Sequence, residues 1–251
     1  MTVAQFLKQK AKRDLYAERQ MNIRMKLALM DSLKYVLEEA KLNMNGIDTR
    51  LESLIDPEPI RDALRWLYVT WGYQNFLWFK KNLPFPSKKA DDFWLQELER
   101  LFKVQGAAKV TSILGTTLEL AQPIIQDALK MAAEGSSIDA VQKEIKRRLQ
   151  DVGGAVTDAR ARMIARTEVI GASNQSTFEA VKSSGVEVEK KWLTGGMNIR
   201  PTHKAAEAQG WIDFNDTFKV GSHQMSHPGD PHGGAEEVIN CKCVLIFRAK
   251  Q

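Results

Sequence analysis

The spacing of apolar residues along this chain changes at Gly185. Before that position, apolar residues recur every three or four positions, as they do on the buried face of a helix. After it, residues 186–193 alternate in the manner of a half-buried strand. Pro201 then opens a predicted short helix to Ala208, and the apolar run of residues 243–247 is typical of a central strand. This order predicts an α+β fold, with a mainly helical N-terminal region followed by a small mixed α+β C-terminal domain.

The helical part of the chain is divided by glycine and proline. Residues 1–44 contain neither and predict one long helix or two, and a further helix is expected from Ile60 to about Lys81. Two prolines make residues 83–87 a predicted loop. More helices are predicted over residues 91–103, 111–133, 137–149 and 157–184, with Thr157 as an N-cap and Gly185 as a left-handed stop. The glycine pair at 153 and 154 is the expected boundary between a helical region, residues 1–154, and the mixed domain, residues 155–251.

Aromatic residues are dense between Trp66 and Phe79. They are distributed almost all round the predicted helix, which favours burial against several neighbours over a role as a docking surface. The same stretch is the most apolar window of the chain, but its 14 residues are fewer than the roughly 20 that a membrane-spanning helix needs. We therefore predict no membrane-spanning segment, and the first residues show no apolar stretch typical of a secretory signal.

Positive charge is concentrated at the N-terminus. The formal net charge is +5, and the first thirty residues hold two acidic residues against seven basic ones. A solvated helix face is the ordinary explanation of such a stripe, and contact with DNA phosphates or an acidic protein is the alternative. Because few aromatic residues are interleaved for base stacking, any DNA contact is expected to be electrostatic and unspecific. The candidate contact residues are Lys8, Lys10, Lys12, Arg13, Arg19, Arg24 and Lys26.

All four histidines and both cysteines lie in the last 49 residues. Cys241 and Cys243 stand two positions apart, which on a strand would aim both thiols at one face. A zinc ion would then need two more ligands from His203, His227 or Asp230. One Cys-x-Cys without a second pair is a weak zinc motif, so the spacing favours buried free thiols, with zinc binding and a disulfide or reactive thiol as alternatives. The expectation is thus no cofactor, with zinc as the exception to test.

Two further features suggest how the C-terminal elements are tied together. Arg162 and Arg166 fall on one helix face, and either could reach a loop acid such as Asp230 or Glu236. The loop of residues 227–234 is rich in proline and glycine, and the φ angles that its prolines fix are expected to hold Asp230 in place. His203 could act as a general base, but no hydrolase or phosphate-binding motif accompanies it, so a structural hydrogen bond is preferred.

The ordered set of C-terminal motifs resembles the phage Mu F-like head-morphogenesis family. The motifs are Ala165-Arg166-Thr167-Glu168, Asn174, Trp192, Gly195-Gly196, Arg200-Pro201-Thr202-His203, Gly210, Phe218, Pro228-Gly229-Asp230-Pro231 and Asn240-Cys241-Lys242-Cys243. The resemblance covers about residues 155–251, and the preceding helices match only in being helical. The family-motif positions carried over are Arg166, Glu168, Asn174, Arg200, His203, Asp230, Asn240, Cys241 and Cys243.

This resemblance implies a minor capsid protein of a tailed bacteriophage. It implies a few copies per particle, attached at the portal vertex or inner capsid surface, with portal protein, major capsid protein, scaffolding protein and packaged double-stranded DNA as expected partners. The same resemblance implies roles in DNA packaging and ejection. It also implies a location in the virion and, during assembly, in the host cytoplasm. The alternatives are a small virion enzyme and a plain DNA-binding protein. The enzyme would be a zinc-dependent hydrolase built on His203, Cys241, Cys243 and Asp230, or an ADP-ribosyltransferase-like domain using Glu236 or Glu237.

Overall fold

A computed structural model describes residues 3–42, 46–82, 91–195 and 197–250. Helices precede the strands, as the change of period at Gly185 predicts, so the α+β class is confirmed. The elements in chain order are α1 (Val3–Ser32), α2 (Lys34–Leu42), α3 (Ile47–Leu54), α4 (Glu58–Arg65), a π-helical turn (Trp66–Trp71), α5 (Gly72–Asn82), α6 (Asp91–Ala133), α7 (Ile138–Ser184), β1 (Val188–Leu193), α8 (Pro201–Ala208), β2 (Trp211–Asp213), β3 (Phe218–Val220), β4 (His223–Met225), α9 (Ala235–Val238) and β5 (Val244–Ala249).

Several helix boundaries lie where the local sequence puts them. Ser137 caps α7 by accepting a hydrogen bond from the Ala140 amide at 3.3 Å. Gly185 follows the last residue of α7 with a φ of 67°, a left-handed conformation that costs glycine no steric strain. Pro201 occupies the first position of α8, where its missing amide hydrogen has no helical partner to lose. The loop predicted at residues 83–87 lies outside the described residues.

Two predicted interruptions are wrong, because α6 and α7 are each a continuous helix. In α6, buried residues recur at helical spacing through the predicted gap, at Phe102, Val110 and Ile113. The helix α7 begins at Ile138 rather than at Thr157 and passes through residues 153 and 154. A glycine in a helix costs only about 1 kcal/mol relative to alanine, and in α6 the burial of the apolar residues on either side of the predicted gap outweighs that cost.

The described chain forms two compact units. The first comprises Met1–Met21, Arg65–Lys103 and Met163–Gln251, and the second comprises Asn22–Leu64 and Val104–Arg162. The second unit is entirely helical in its described part. Its core joins α2 and α3 to α6 and α7 through Val36, Ile47, Leu51, Ile55, Ala121, Ile125, Ala128, Val141 and Ile145. The predicted division of the chain after residue 154 stays a prediction, since each unit combines separate stretches of chain.

The first unit contains the aromatic segment, and the prediction that this segment is core is confirmed. Phe76 and Phe79 of α5 pack against Trp94 of α6 and against Val181 of α7 and Val188 of β1. The rings of Phe76 and Trp94 stack with centroids 5.0 Å apart. These contacts hold the second half of α7 against the other helices, so α7 is a fixed support for the strands that follow it.

The strands of the first unit form two small sheets. One has the order β2-β1-β5, all antiparallel, and the other is the β3-β4 hairpin. In the register of β1 with β5, Trp192 lies opposite Leu245. Alternate residues of β1 are buried, so Val188, Lys190 and Trp192 share the inner face. Trp192 and Leu245 pack with Phe218, Met225 and both cysteines in the core of this region.

None of the helices in the described ranges combines the length and apolar character needed to span a bilayer.

Candidate functional site

The structure brings His203 together with Cys241 and Cys243 in the first unit. His203 lies on the buried face of α8, and its Nδ1 is 3.2 Å from Cys243 Sγ and 3.9 Å from Cys241 Sγ. The three potential ligand atoms all lie within 4.8 Å of one another. Each of the three residues is only 2% exposed. We refer to these three residues as the His-Cys cluster.

The Cys-x-Cys segment lies before β5 and not on it, which corrects the expectation that a strand aims both thiols at one face. The segment is a turn that starts after α9, where the Cys241 amide donates to the Val238 carbonyl at 3.2 Å. Asn240 has a φ of 56°, a left-handed conformation that asparagine tolerates better than most residues. The Cys243 amide then donates to Cys241 Sγ at 3.3 Å. The turn therefore converges the two thiols on His203 by backbone geometry.

The other nitrogen of His203 faces a buried carboxylate. Glu237 Oε2 lies 3.0 Å from His203 Nε2, and Thr202 Oγ1 donates to the same oxygen at 2.8 Å. Although the distance is short, the carboxylate lies out of line for a hydrogen bond, and Nε2 is a buried nitrogen without a hydrogen-bond partner. The Trp192 ring meets the His203 ring edge-on, with centroids 5.5 Å apart. His203 is thus enclosed between the thiols, a carboxylate and an aromatic ring.

The two thiols differ in acidity. The hydrogen bond from Cys241, together with His203, lowers the pKa of Cys243 to about 5, although burial opposes this shift. The hydrogen bond to Cys243, and then burial, raises the pKa of Cys241. A thiolate beside an imidazole is the usual nucleophilic pair of cysteine enzymes. Here both residues are almost completely enclosed, so the described geometry offers a substrate no access, and it suits a structural contact or a metal ligand set.

Asn174 connects α7 to the loop and to β5. Its side chain is fully buried, and Nδ2 donates to the Pro228 carbonyl at 3.2 Å and the Cys243 carbonyl at 3.0 Å. Its Oδ1 accepts from the Leu245 amide at 3.1 Å. One side chain therefore satisfies three buried backbone groups on two separate segments, which makes Asn174 the main polar tie between the helix and the strand.

The loop of residues 227–234 approaches α7 at two glycines. Gly229 has a φ of 78°, and a Cβ atom at this position would lie 2.7 Å from the Cα of Gly171. Asp230, 3% exposed, accepts hydrogen bonds from the Ser226 amide at 2.7 Å and the His232 amide at 2.9 Å. Burial disfavours its charge, but His227 and these amides prevail and hold the pKa of Asp230 below its usual value. Hydrogen bonds as well as restricted backbone angles thus fix the loop.

The expected arginine bridge from α7 to this loop is wrong. Arg166 pairs with Glu18 of α1 at 2.9 Å, and Arg162 donates to the Asp158 carbonyl within α7. Asp230 is instead occupied by its own loop, and Glu236 pairs with His223 at 2.9 Å. Arg166 points away from the loop because its side of α7 meets α1, a neighbour that the spacing of residues in α7 does not identify.

The remaining motif residues also make structural contacts. Glu168, 8% exposed, accepts from the Tyr68 hydroxyl at 2.7 Å. The Asn240 amide donates to Thr167 Oγ1 at 3.0 Å, which is a second tie between α7 and the Cys-x-Cys turn. Arg200 donates to the Ile239 carbonyl at 2.5 Å and holds the start of α8 to the end of α9.

The basic stripe of α1 is divided between internal and exposed residues. Lys10 is a correction to the expected contact set, because it is 1% exposed and pairs with Asp14 and Ser173. Arg13 donates to the Gln74 carbonyl and lies over the Trp78 ring, and burial lowers its pKa. Lys26 pairs with Asp158 at 2.7 Å. Four members of the stripe remain on the surface, namely Lys8, Lys12, Arg19 and Arg24.

Lys190 is a buried cation that was missed by the reading of the sequence. Its ammonium group lies 5.0 Å from the centre of the Phe178 ring and within 6 Å of the Phe214 and Phe218 rings, and it donates to the Ser226 carbonyl at 3.1 Å. Burial lowers the pKa of Lys190 to about 8. The signal was available, because residue 190 falls between Val188 and Trp192 on the inner face of the alternating strand.

Comparisons with known proteins confirm the resemblance for the C-terminal region. Residues 123–246 match the family described as Phage Mu protein F like protein. The uncharacterized protein YqbB of Bacillus subtilis (strain 168) is 32% identical over 127 residues, which are 49% of this chain and 40% of that protein. The NAD(+)--arginine ADP-ribosyltransferase EFV of Enterococcus faecalis (strain ATCC 700802 / V583) is 28% identical over 132 residues, 51% of this chain and 26% of that protein. The chain thus spans less than half the length of either relative. No solved structure matches it.

Proposed function

Because residues 123–246 match the Phage Mu protein F like family, we propose that this chain is a minor capsid protein in the head morphogenesis of a tailed bacteriophage. It assembles at the portal vertex or inner capsid surface, with portal protein and major capsid protein as direct partners and scaffolding protein present during assembly. The observation that carries the proposal is the match to the family over α7 and the strands that follow it.

The positions of the motif residues support a structural role over a catalytic one. Asn174, Thr167 and Arg200 each bind backbone groups on a neighbouring segment, and together they connect α7, α8, α9 and β5. A site for chemistry on a substrate needs functional groups at an accessible surface. In the described residues, the His-Cys cluster is enclosed instead, so the motif set maintains the shape of the domain that docks in the particle.

Cross-linking mass spectrometry on assembled particles tests the location. We expect lysine-directed cross-links from this chain to the portal protein or the major capsid protein, with cross-links inside the chain as the internal control. A buried-site variant, Asn174→Leu, should be lost from particles, while the matched surface variant Asn215→Leu should be retained. Internal cross-links without any to portal or major capsid protein contradict the proposed location.

Contact with packaged DNA is the finer part of the proposal, and the exposed basic residues of α1 support it. Lys8, Lys12 and Arg19 are separated by four and seven residues, so they share one helix face. Cations arranged in this way meet phosphates along a DNA backbone without reading its sequence. Lys10 has no part in this contact because it is buried in the protein.

The dependence of DNA affinity on salt tests this contact. Replacing Lys8, Lys12 and Arg19 with alanine should reduce the slope of log affinity against log salt concentration by about 0.9 per lost phosphate contact. The matched control replaces three other exposed lysines, Lys81, Lys204 and Lys219, and removes the same charge. An equal loss of slope in both triple variants, or a flat slope in the unchanged protein, contradicts a specific role for the α1 face.

The described site does not favour the enzymatic alternatives. The relative that is an ADP-ribosyltransferase matches this chain over only 26% of its own length. Glu237 is 5% exposed and engaged with Thr202 and His203, and Glu236 pairs with His223. Asp230 accepts hydrogen bonds from its own loop, so it does not join His203 in a hydrolase-like group.

A further inference from the structure

We propose that His203, Cys241 and Cys243 bind a zinc ion that locks α8 to the turn between α9 and β5. The site is independent of the proposed role in the phage head, since it concerns how this region is held together. It rests on the separations of the donor atoms, their chemical type, and the group that faces the far side of the histidine.

The donor atoms are spaced as ligands of one tetrahedral ion. With ordinary zinc–sulfur and zinc–nitrogen bond lengths, two ligands of the same ion lie about 3.5–3.8 Å apart. The observed separations are 3.2 Å from His203 Nδ1 to Cys243 Sγ and 3.9 Å from the same nitrogen to Cys241 Sγ. All three atoms lie within 4.8 Å of one another, so a zinc ion can contact them after side-chain shifts of at most about 1 Å.

The donor types favour zinc over other common ions. Two thiols and an imidazole are soft and borderline ligands, which suit zinc, whereas magnesium and calcium prefer oxygen. Thiols that serve only as packing groups have no need of a histidine nitrogen beside both of them. The Cys243 amide donates to Cys241 Sγ at 3.3 Å, a contact that also stabilises a metal-bound thiolate.

The surroundings of His203 match those of a metal ligand. If Nδ1 binds the metal, the ring proton is on Nε2, and a ligating histidine usually donates that proton to a carboxylate or carbonyl. Glu237 Oε2 lies 3.0 Å from Nε2 and is itself fixed by Thr202 Oγ1 at 2.8 Å. The buried Nε2 lacks an aligned partner in the structure described, and a small rotation of the ring toward a bound ion would align it with Glu237.

The described chain supplies three ligands, and we assign the fourth position of the tetrahedron to a water molecule. Within the described ranges, no other histidine, cysteine or acidic side chain joins the group of donors. The enclosure of all three residues makes this a stabilising site, because an ion there links α8 to a turn that lies about forty residues further along the chain.

Metal content and cobalt spectroscopy test the site. The full chain, purified with a thiol reductant, exposed to excess zinc and dialysed, should retain about one zinc ion per chain by elemental analysis. The variants Cys241→Ser, Cys243→Ser and His203→Ala should lose it, whereas the matched control His223→Gln should keep it. Cobalt substitution should give the intense visible bands of a tetrahedral site and sulfur-to-cobalt charge-transfer absorption in the near ultraviolet.

A conservative variant and a stability measurement cover the case in which a serine variant fails to fold. Cys241→His keeps a ligand at position 241, so it should retain the zinc while its cobalt charge-transfer absorption falls to about half. A strong chelator should lower the melting temperature of the unchanged protein, and added zinc should restore it. The proposal is overturned if the unchanged chain retains no more zinc per chain than the double variant Cys241→Ser/Cys243→Ser. A cobalt spectrum without sulfur-to-metal bands overturns it as well.

Discussion

Replacing Asn174 with leucine tests whether the polar tie between α7 and β5 stabilises the domain. Leucine has nearly the same size but can neither donate nor accept a hydrogen bond. The change leaves the Pro228 and Cys243 carbonyls and the Leu245 amide without the hydrogen bonds that Asn174 makes to them at 3.0–3.2 Å. Since each of the three buried groups left without a partner costs about 1–3 kcal/mol, the expected loss is roughly 3–9 kcal/mol.

This loss is comparable to the whole stability of many domains, which is about 5–15 kcal/mol. We therefore expect Asn174→Leu to unfold the strand region locally or to shift its urea transition to much lower concentration. Because the chain has two compact units, a local readout is needed, and the best is amide hydrogen exchange at Leu245. The exchange rate there should increase by at least a hundredfold.

A second substitution separates the two roles of the Asn174 amide. Asn174→Asp keeps an acceptor for the Leu245 amide but directs a carboxylate oxygen at two carbonyl oxygens. Its cost should be as large as that of leucine at neutral pH and smaller at acid pH, where the protonated acid can donate. Asn215→Leu, on an exposed side chain, is the control and should change stability by less than about 0.5 kcal/mol. A loss below about 1 kcal/mol for Asn174→Leu refutes the reasoning.

Two further predictions concern the loop contact and the buried lysine. In thermal unfolding, Gly229→Ala should destabilise the protein much more than Gly210→Ala does. Both glycines have left-handed φ angles, but only at Gly229 would the new Cβ atom meet Gly171, at 2.7 Å from its Cα. Equal losses of stability in the two variants would show that this close approach is unimportant. The free energy of unfolding should rise between about pH 8 and the ordinary lysine pKa of about 10.4. Over that range the folded protein loses the proton of Lys190, whose pKa is about 8, whereas the unfolded chain keeps it. Loss of a proton by the folded state alone makes folding more favourable as the pH increases. Lys190→Met should abolish the rise, and a flat profile for the unchanged protein contradicts the assignment.

Local sequence signals predicted the parts of the fold that depend on neighbours in the chain. The stop at Gly185 and the start of α8 at Pro201 follow from backbone conformation and capping within a few residues. The alternation around Trp192 likewise placed a strand, which begins at Val188. These features needed no knowledge of distant residues, which explains why the α+β class could be predicted.

Distant contacts decided the rest. The helix α6 continues through its predicted break because burial of its apolar residues outweighs the low helix propensity there, and a reading of local propensity does not include burial. Lys10 was predicted to be on the surface, yet its buried position depends on Ser173, which lies 163 positions away in the sequence. His203 lies about forty residues before the cysteines in the sequence, yet its Nδ1 is only 3.2 Å from Cys243 Sγ in the structure. The sequence alone could therefore suggest that these residues are close but could not show it.

The motif residues of this chain are far apart in the sequence, but the groups that they contact lie close together. Asn174 and Thr167 bind the backbone near Cys243 and Asn240, Arg200 binds the carbonyl of Ile239, and His203 meets the two thiols. Two residues of α7, one residue of α8 and the residue just before α8 therefore converge on one irregular segment between α9 and β5. Irregular backbone lacks a ladder of its own hydrogen bonds, so its shape depends on side chains from elsewhere. Substitution of one such residue should consequently alter the shape of the segment first, and a failure of the proposed role in particle assembly would follow from that change.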